Sequence, residues 1–196
     1  MLFRSHVVDP DALHAARNRL KVALATALKA PLLAAWRASA TPGPYSPDAG
    51  SSGKRALKNL ALGLLVELET DDVLALAESQ FREAGNMPDQ FAALACLANS
   101  ASPRGAPALE AFYARWKDEP LVLDKWLAVQ ATSRLPGTLA RVRELLGHPA
   151  FDIKVPNKVY ALIRSFAANH VRFHAADGGG YAFLADQVIR LDRLNP

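Results

Sequence analysis

The sequence predicts an all-α fold, built as a superhelical stack of antiparallel helix pairs. Apolar residues recur at spacings of three and four along almost the whole chain, and no stretch alternates as a half-buried strand would. Much of the 51% hydrophobic content is alanine and leucine, which favour helices. Short turns divide the pattern into units of roughly 30 to 40 residues, a spacing typical of HEAT/armadillo-like α-solenoids. A compact helical bundle would show similar periodicity, and the solenoid is the preferred arrangement.

The whole chain, residues 1–196, is predicted to form one domain that starts with a helical segment at 1–39. Asp9 can cap the first helix, because its side chain can accept a hydrogen bond from the first turn. Pro10 suits that turn, where its missing N–H leaves no intrahelical bond unmade. Pro31 is expected to break or kink the segment.

Residues 40–53 hold three prolines, three glycines and three serines, which predicts the only long loop. Stacked helix pairs are predicted to fill the remainder, 54–196. Thr70, Asn86 and Ser102 each stand just before a helical pattern and offer a side-chain acceptor to its first turn. The predicted helices cover 54–68, 71–84, 88–100, 104–118, 120–132, 137–147, 156–169 and 180–194.

The composition bears on partners and location. The formal net charge is +4, without the concentrated Lys/Arg stripe of a nucleic-acid-binding face, so no nucleic acid partner is expected. The longest apolar stretch, 22–36, is too short to span a bilayer and is interrupted by Lys29 and Pro31, so no membrane contact is expected. Cys96 is the only cysteine, which favours a reducing, cytoplasmic setting and a buried inert thiol.

The stretch "FAANHVRFHAADGGGYAFL", residues 166–184, carries the most suggestive polar pattern. On one continuous helix His170, His174 and Asp177 would share a face, and two imidazoles with a carboxylate could bind zinc or iron. A helical zinc motif usually has a glutamate beside its first histidine, and none stands here. Asn169 also suits a helix end better than a helix interior. A polar corner between helices is therefore the favoured interpretation.

The run Gly178–Gly180 precedes a helical pattern, as a phosphate-binding loop would. However, neither G-x-x-x-x-G-K-[ST] nor a preceding strand is present, so a tight turn between helices is favoured over a nucleotide site.

No set of residues forms a recognisable catalytic centre. Capping and the helix dipole account for a local acidic cluster at a helix boundary, Glu67, Glu69, Asp71 and Asp72. Two basic groups could either bind an anionic partner or form solvated faces: Lys54, Arg55 and Lys58; and Lys154, Lys158, Arg164 and Arg172. The three tryptophans, Trp36, Trp116 and Trp126, are spread at helical positions and are interpreted as core residues.

The order of several motifs resembles one family. The motifs are "KRALKNLALGLL", "NMPDQFAALACL", "LVLDKW", and "VPNK" followed by "FHAADGGGYAFL". In this order they resemble the C-terminal helical domain of bacterial aminopeptidase N, a zinc exopeptidase of the gluzincin type. The resemblance covers nearly the whole chain.

The resemblance implies a non-catalytic domain of a larger multidomain enzyme. In that family the helical domain covers the active-site cleft and controls peptide access, and the enzyme removes N-terminal residues from peptides. Its zinc motif H-E-x-x-H and its G-A-M-E-N motif are missing here, so this chain alone is expected to be inactive and to hold no cofactor, with zinc in the parent enzyme. The implied partners are the catalytic and other domains of the same polypeptide and peptide substrates.

The resemblance also assigns residues to the wall of the substrate chamber. This wall set comprises Asn157, Lys158, Phe173, His174, Asp177 and Gly178. Tyr160 stands where an arginine is common in the family, which bears on peptide-carboxylate binding by this wall.

The resemblance further implies that the chain is an excised domain or a truncated reading frame. It ends at "LDRLNP", where the family normally continues, so an exposed apolar face and self-association are expected. Two alternatives remain open. One is a free-standing α-solenoid adaptor that binds protein or nucleic acid, and the other is an independent metalloenzyme using His170, His174 and Asp177.

Overall fold

A computed structural model describes residues 8–194, and all the regular structure in that range is helical. Residues 1–7 and 195–196, which belong to the predicted 1–196 domain, lie outside the described residues. The helices are α1 (Pro10–Ala27), α2 (Lys29–Ala38), α3 (Ala49–Val66), α4 (Asp71–Glu83), α5 (Met87–Ala98), α6 (Gly105–Trp116), α7 (Pro120–Ala131), α8 (Thr138–Leu145), α9 (Pro156–Val159), α10 (Ser165–Ala167), α11 (His170–Phe173) and α12 (Gly179–Asp192). A π-helical turn, Tyr160–Arg164, joins α9 to α10. The all-α prediction is confirmed.

The helices form stacked pairs. Helix α2 packs on α3, α4 on α5 and α6 on α7, while α3, α5, α7 and the π-helical turn form a continuous row of neighbours. Leu62, Leu94, Leu127 and Leu162 are fully buried, one from each member of this row. These four leucines recur at similar spacings along the chain. The spacing reflects a structural repeat that is not obvious as a repeat in the sequence.

Hydrogen bonds join the C-terminal ends of successive helices in the row. Asn169 Nδ2 donates to the carbonyl oxygens of Ala131 at 3.1 Å and Ser133 at 2.8 Å. Ser133 Oγ donates to the Ala98 carbonyl oxygen at 3.4 Å. Asn99 Oδ1 accepts from the Arg134 N–H at 3.0 Å. We call this set of bonds the inter-repeat ladder, because each bond spans 35 to 38 residues of the chain.

The break in the first helical segment falls at Leu28, three residues before its predicted place at Pro31. A proline ring clashes with the carbonyl group four residues earlier, and it is tolerated only within the first turn of a helix. The chain therefore interrupts the helix before the proline, and Pro31 lies in the first turn of α2.

The loop predicted for 40–53 is shorter than expected, because α3 begins at Ala49. Asp48 caps this helix, and its Oδ1 accepts a hydrogen bond from the Ser51 N–H at 2.9 Å. The cap compensates for the weak helix formers Gly50 and Gly53 in the first turns.

The glycine run forms a tight corner between α11 and α12. Gly178 has a φ of +70°, in the left-handed region, and precedes the first residue of α12. Gly180 lies so close to Phe173 that an added Cβ would come within 2.2 Å of the Phe173 carbonyl oxygen. The favoured turn interpretation is thus supported by backbone geometry.

Among residues 8–194, no helix is long and apolar enough to cross a membrane.

Candidate functional site

The structure separates the predicted wall set into two groups. Asn157 is exposed on α9, whereas Lys158 is largely buried and donates from Nζ to the Pro120 carbonyl oxygen at 2.8 Å and to Asp124 Oδ1 at 2.7 Å. These contacts place Lys158 at the N-terminal end of α7. The ammonium group of Lys158 is therefore bonded to α7, within the helical stack.

The second group surrounds the corner between α11 and α12. Phe173 is buried, and its ring packs against Tyr181 with centroids 5.0 Å apart. His174 is exposed, and its Nδ1 lies 2.6 Å from the Tyr181 hydroxyl oxygen. Asp177 Oδ1 accepts from the Gly179 N–H at 2.9 Å. The four wall residues at positions 173, 174, 177 and 178 are therefore close together.

The two groups lie at opposite ends of α7. Asn169 and Arg172, beside the second group, bond to the residues that follow α7, whereas Lys158 contacts its first turn. The 12 residues of α7 span roughly 18 Å at the rise of an α-helix. A wall containing all six residues would have to extend along the whole of that helix.

The hypothetical metal ligands do not converge. His170 and His174 share the short helix α11, and their rings stack with centroids 5.9 Å apart. Asp177 instead binds the backbone of the next helix start. Within residues 8–194, no group of three His, Cys, Asp or Glu side chains could hold a metal ion. The residues described here thus do not fit a zinc site.

A groove runs between α1 and the helix row, and we call it the α1 groove. It contains two cavities of about 460 and 560 Å³, which share Thr132 and Arg134. The smaller cavity is lined by residues of α3 and α5, and the larger by residues of α11. Arg134 lies at the junction of the two cavities.

Glu67, at the centre of the groove, links α1 to the helix row. Its Oε1 lies 3.1 Å from Lys21 Nζ on α1, and its Oε2 lies 2.6 Å from Arg134 Nη1. Burial alone would raise the pKa of Glu67, but the hydrogen bonds and charges of Arg134 and Lys21 outweigh it and hold that pKa below its usual value. The carboxylate is therefore ionised at neutral pH and joins three parts of the fold.

His14 faces the larger cavity from α1. Partial burial lowers the pKa of His14, and the nearby Arg134, Arg172 and Lys21 lower it further. Its Nε2 lies 2.9 Å from Asn18 Nδ2. Three cations and one carboxylate, Glu67, thus act on this imidazole.

The acidic cluster at the start of α4 makes contacts beyond capping. Asp72 pairs with Lys29 at 2.8 Å and Asp71 with Arg104 at 3.2 Å. The cluster therefore holds neighbouring helices together, which the local sequence alone does not indicate.

The basic group at the start of α3 is not a uniform solvated face. Arg55 is buried and donates from Nη2 to the Ser46 carbonyl oxygen at 2.7 Å, and Lys58 pairs with buried Asp89 at 3.1 Å. Lys54 alone of the three is exposed. Two of these residues thus have structural roles.

Cys96 lines the smaller cavity of the α1 groove. Desolvation by burial raises the pKa of its thiol to about 12. The thiol is therefore protonated at neutral pH, as the inert interpretation predicts.

Sequence reasoning missed Arg134, and it assigned Glu67 only to the acidic cluster at a helix boundary. The two residues are 67 positions apart, so no local motif links them. The signal that could have found Arg134 is its distance of 35 residues from Asn99, which matches the structural repeat.

The fold and the groove define a class: a helical-repeat domain that presents a charged groove. The chain belongs to the family DUF3458_C, described as a domain of unknown function with ARM repeats, which matches residues 2–196.

Curated relatives support the same assignment. The chain is 40% identical to aminopeptidase N of Caulobacter vibrioides over 189 residues, which is 96% of this chain and 22% of that protein. It is 37% identical to aminopeptidase N of Escherichia coli over 97% of this chain and 22% of that protein. The chain thus spans about a fifth of the length of these relatives. The resemblance to the C-terminal helical domain of bacterial aminopeptidase N is confirmed.

A solved structure has a similar fold. The crystal structure of Legionella pneumophila aminopeptidase A in complex with aspartic acid superposes with a TM-score of 0.88 at 31% identity. The match covers 96% of this chain and 23% of that protein. A similar helical stack therefore occurs in that solved aminopeptidase as one part of a longer chain.

Proposed function

We propose that this chain serves as the non-catalytic helical domain of a zinc-dependent aminopeptidase that removes N-terminal amino acids from peptides. The observation that carries the proposal is the 40% identity to aminopeptidase N over 96% of the chain. In this proposal the domain covers the active-site cleft and controls the access of peptides. Its partners are the catalytic and other domains of one polypeptide, together with the peptide substrate.

The proposed division of labour follows from the residues available. The zinc motif of the family is missing from the sequence, and the described residues provide no substitute cluster. Zinc therefore belongs to the remainder of the proposed parent enzyme. This chain contributes a stable surface on which His174, which lines the larger cavity of the α1 groove, and Asp177, three residues further along the chain, would face peptides. A cytoplasmic location is part of the proposal, since the lone Cys96 can form no internal disulfide.

A domain exchange tests the proposal. The matching segment of the Caulobacter vibrioides enzyme is replaced by this chain, and hydrolysis is measured on a short peptide and on a long unfolded polypeptide. We expect the chimera to cleave the short peptide. Its preference between the short peptide and the long polypeptide should match that of the unaltered enzyme. A variant lacking the segment should lose that preference, because the cleft would be uncovered.

Two controls complete the test. Circular dichroism and zinc content establish that the chimera and the deletion variant are folded. The 196-residue chain alone, supplied with zinc, should hydrolyse no aminoacyl substrate. Hydrolysis by the chain alone, or a folded chimera that behaves like the deletion variant, would contradict the proposal. The adaptor alternative predicts no dependence of peptide hydrolysis on the segment.

A further inference from the structure

The larger cavity of the α1 groove is lined by basic side chains and by no acidic one among the described residues. Its volume is about 560 Å³, and its polar lining includes His14, Arg17, Arg134, His170 and His174. Apolar side chains of α1 and α11 complete the wall. We propose that this cavity binds a small oxyanion, carried either by a free anion such as phosphate or by the carboxylate of a peptide.

Donors remain available in the cavity. Arg17 forms no ion pair with any residue between 8 and 194, and its side chain lines the opening from α1. Arg134 uses Nε and Nη1 in bonds to Asn99 and Glu67, which leaves Nη2 for a ligand. His170 also lines the cavity, and its imidazole has no hydrogen-bonded partner in the described part of the chain. A planar guanidinium group suits an oxyanion, because its N–H groups match two oxygens.

Glu67, the carboxylate paired with Arg134, does not compensate the charge of this set. Glu67 is engaged by Lys21 and Arg134 at 3.1 and 2.6 Å, so its carboxylate is already matched. Arg172 adds a further cation, and its guanidinium group is held by the Arg134 carbonyl oxygen at 2.8 Å. The cavity therefore retains a net positive charge, which attracts anions.

A cation is a poor occupant of the same cavity. His170 and His174 could offer two imidazole nitrogens, but no third ligand joins them within the described ranges. Arg17 and Arg134 would also repel a metal ion. The chemistry of the lining thus distinguishes an oxyanion site from a metal site.

Binding should depend on pH in a defined direction. His14 is faced by charged groups of four elements: Lys21 on its own helix, Glu67 after α3, Arg134 after α7 and Arg172 on α11. An anion placed among them would favour the protonated imidazole. Affinity for a peptide carboxylate, whose own charge is constant in this range, should therefore rise as the pH falls from 8 to 6, where histidine gains its charge.

Calorimetric titration of the 196-residue chain tests the proposal. The ligands are inorganic phosphate, an N-acetylated tripeptide with a free carboxylate, and the same tripeptide with a C-terminal amide, all at low ionic strength. We expect saturable one-to-one binding of phosphate or of the free-carboxylate peptide, and none of the amide. Phosphate binding alone identifies a free anion as the ligand, and carboxylate binding alone identifies a peptide end.

A matched pair of variants controls for non-specific charge effects. Arg17→Gln should weaken binding about tenfold, because it removes one charge-assisted contact. Arg19→Gln removes the same charge from an exposed position of the same helix that does not line the cavity, and it should change affinity less than about twofold. His14→Gln should reduce the difference in affinity between pH 6 and pH 8.

Three results would overturn the inference: no saturable binding of either anion, equal weakening by the two arginine variants, or affinity for the peptide carboxylate that is independent of pH. The inference does not rest on the proposed function. The titration contains no catalytic partner, so its failure would leave the domain-exchange result unaffected.

Discussion

Gly180 shows how one residue fixes the corner between α11 and α12. The backbone of Phe173 packs directly against its Cα, so there is no room for a side chain. Gly178, two residues earlier, supplies the left-handed φ that starts the turn. The polar corner was predictable from the glycine run, but the distinct task of each glycine was not, because it depends on the approach of a segment seven residues away.

Substituting Gly180 should therefore destabilise the domain. We expect Gly180→Ala to lower the free energy of unfolding by about 3 kcal/mol, because the Cβ would force the backbone of Phe173 to move. The measurement is equilibrium unfolding in urea.

Gly53 provides the matched control. It lies inside α3 with no atom within 4 Å of an added Cβ. Gly53→Ala should stabilise the domain by up to about 1 kcal/mol, since alanine is the better helix former. Equal effects of the two substitutions would contradict the packing explanation.

Element boundaries show where local sequence is sufficient and where it is not. The apolar periodicity predicted the helices well, because each one buries a stripe of side chains against its neighbours. The composition of 40–53 placed the start of α3 too late, since the capping bond of Asp48 outweighs the low helix propensity of glycine and serine. The π-helical turn at Tyr160–Arg164 had no signal in the periodicity.

The Asp48 cap gives a pH-dependent prediction for α3. Hydrogen bonds from Ser46 and then Ser51 lower the pKa of Asp48 below its usual 3.8. Because the folded-state pKa is lowered, the stabilisation is complete at neutral pH and declines as the pH falls below that usual value. Asp48→Ala should lower the Tm at pH 7 by about 2 to 4 °C.

Asp48→Asn distinguishes capping from charge. Asparagine also caps helices, so the Tm of this variant at pH 7 should be close to that of the unaltered chain. The difference in Tm between it and the unaltered chain should shrink as the pH is lowered from 7 to 2, followed by thermal circular dichroism. A constant difference across this range would show that the carboxylate charge is irrelevant.

At the scale of the whole molecule, α1 is only weakly embedded in the fold. Ala25 is its only buried residue among those described, and Glu67 links it to the row through Lys21. Fold class and helix order were predictable from the sequence, but the groove was not. Its residues come from distant parts of the chain, and only the stacking of repeats brings Glu67 and Arg134 together.

Removing the charge of Glu67 should loosen α1. We expect Glu67→Gln to speed amide hydrogen exchange in residues 10–27 about tenfold, because Lys21 and Arg134 lose their shared carboxylate. Mass spectrometry after exchange at neutral pH provides the measurement.

Glu78→Gln is the control for this prediction. Glu78 pairs with Arg82 and Arg104 beside α4, away from α1, so exchange in 10–27 should not change. If the Glu67 variant leaves exchange in α1 unaltered as well, the carboxylate does not hold that helix.

The inter-repeat ladder has a consequence for how such a domain can diverge in evolution. Most of its acceptors are main-chain carbonyl oxygens, which every amino acid supplies. Mutations at the accepting positions therefore leave the hydrogen bonds of the ladder intact. Each repeat needs only one side chain that can donate such a bond. Copies of an ancestral helix pair can therefore diverge until no sequence similarity among them remains, while the hydrogen bonds between neighbouring repeats persist.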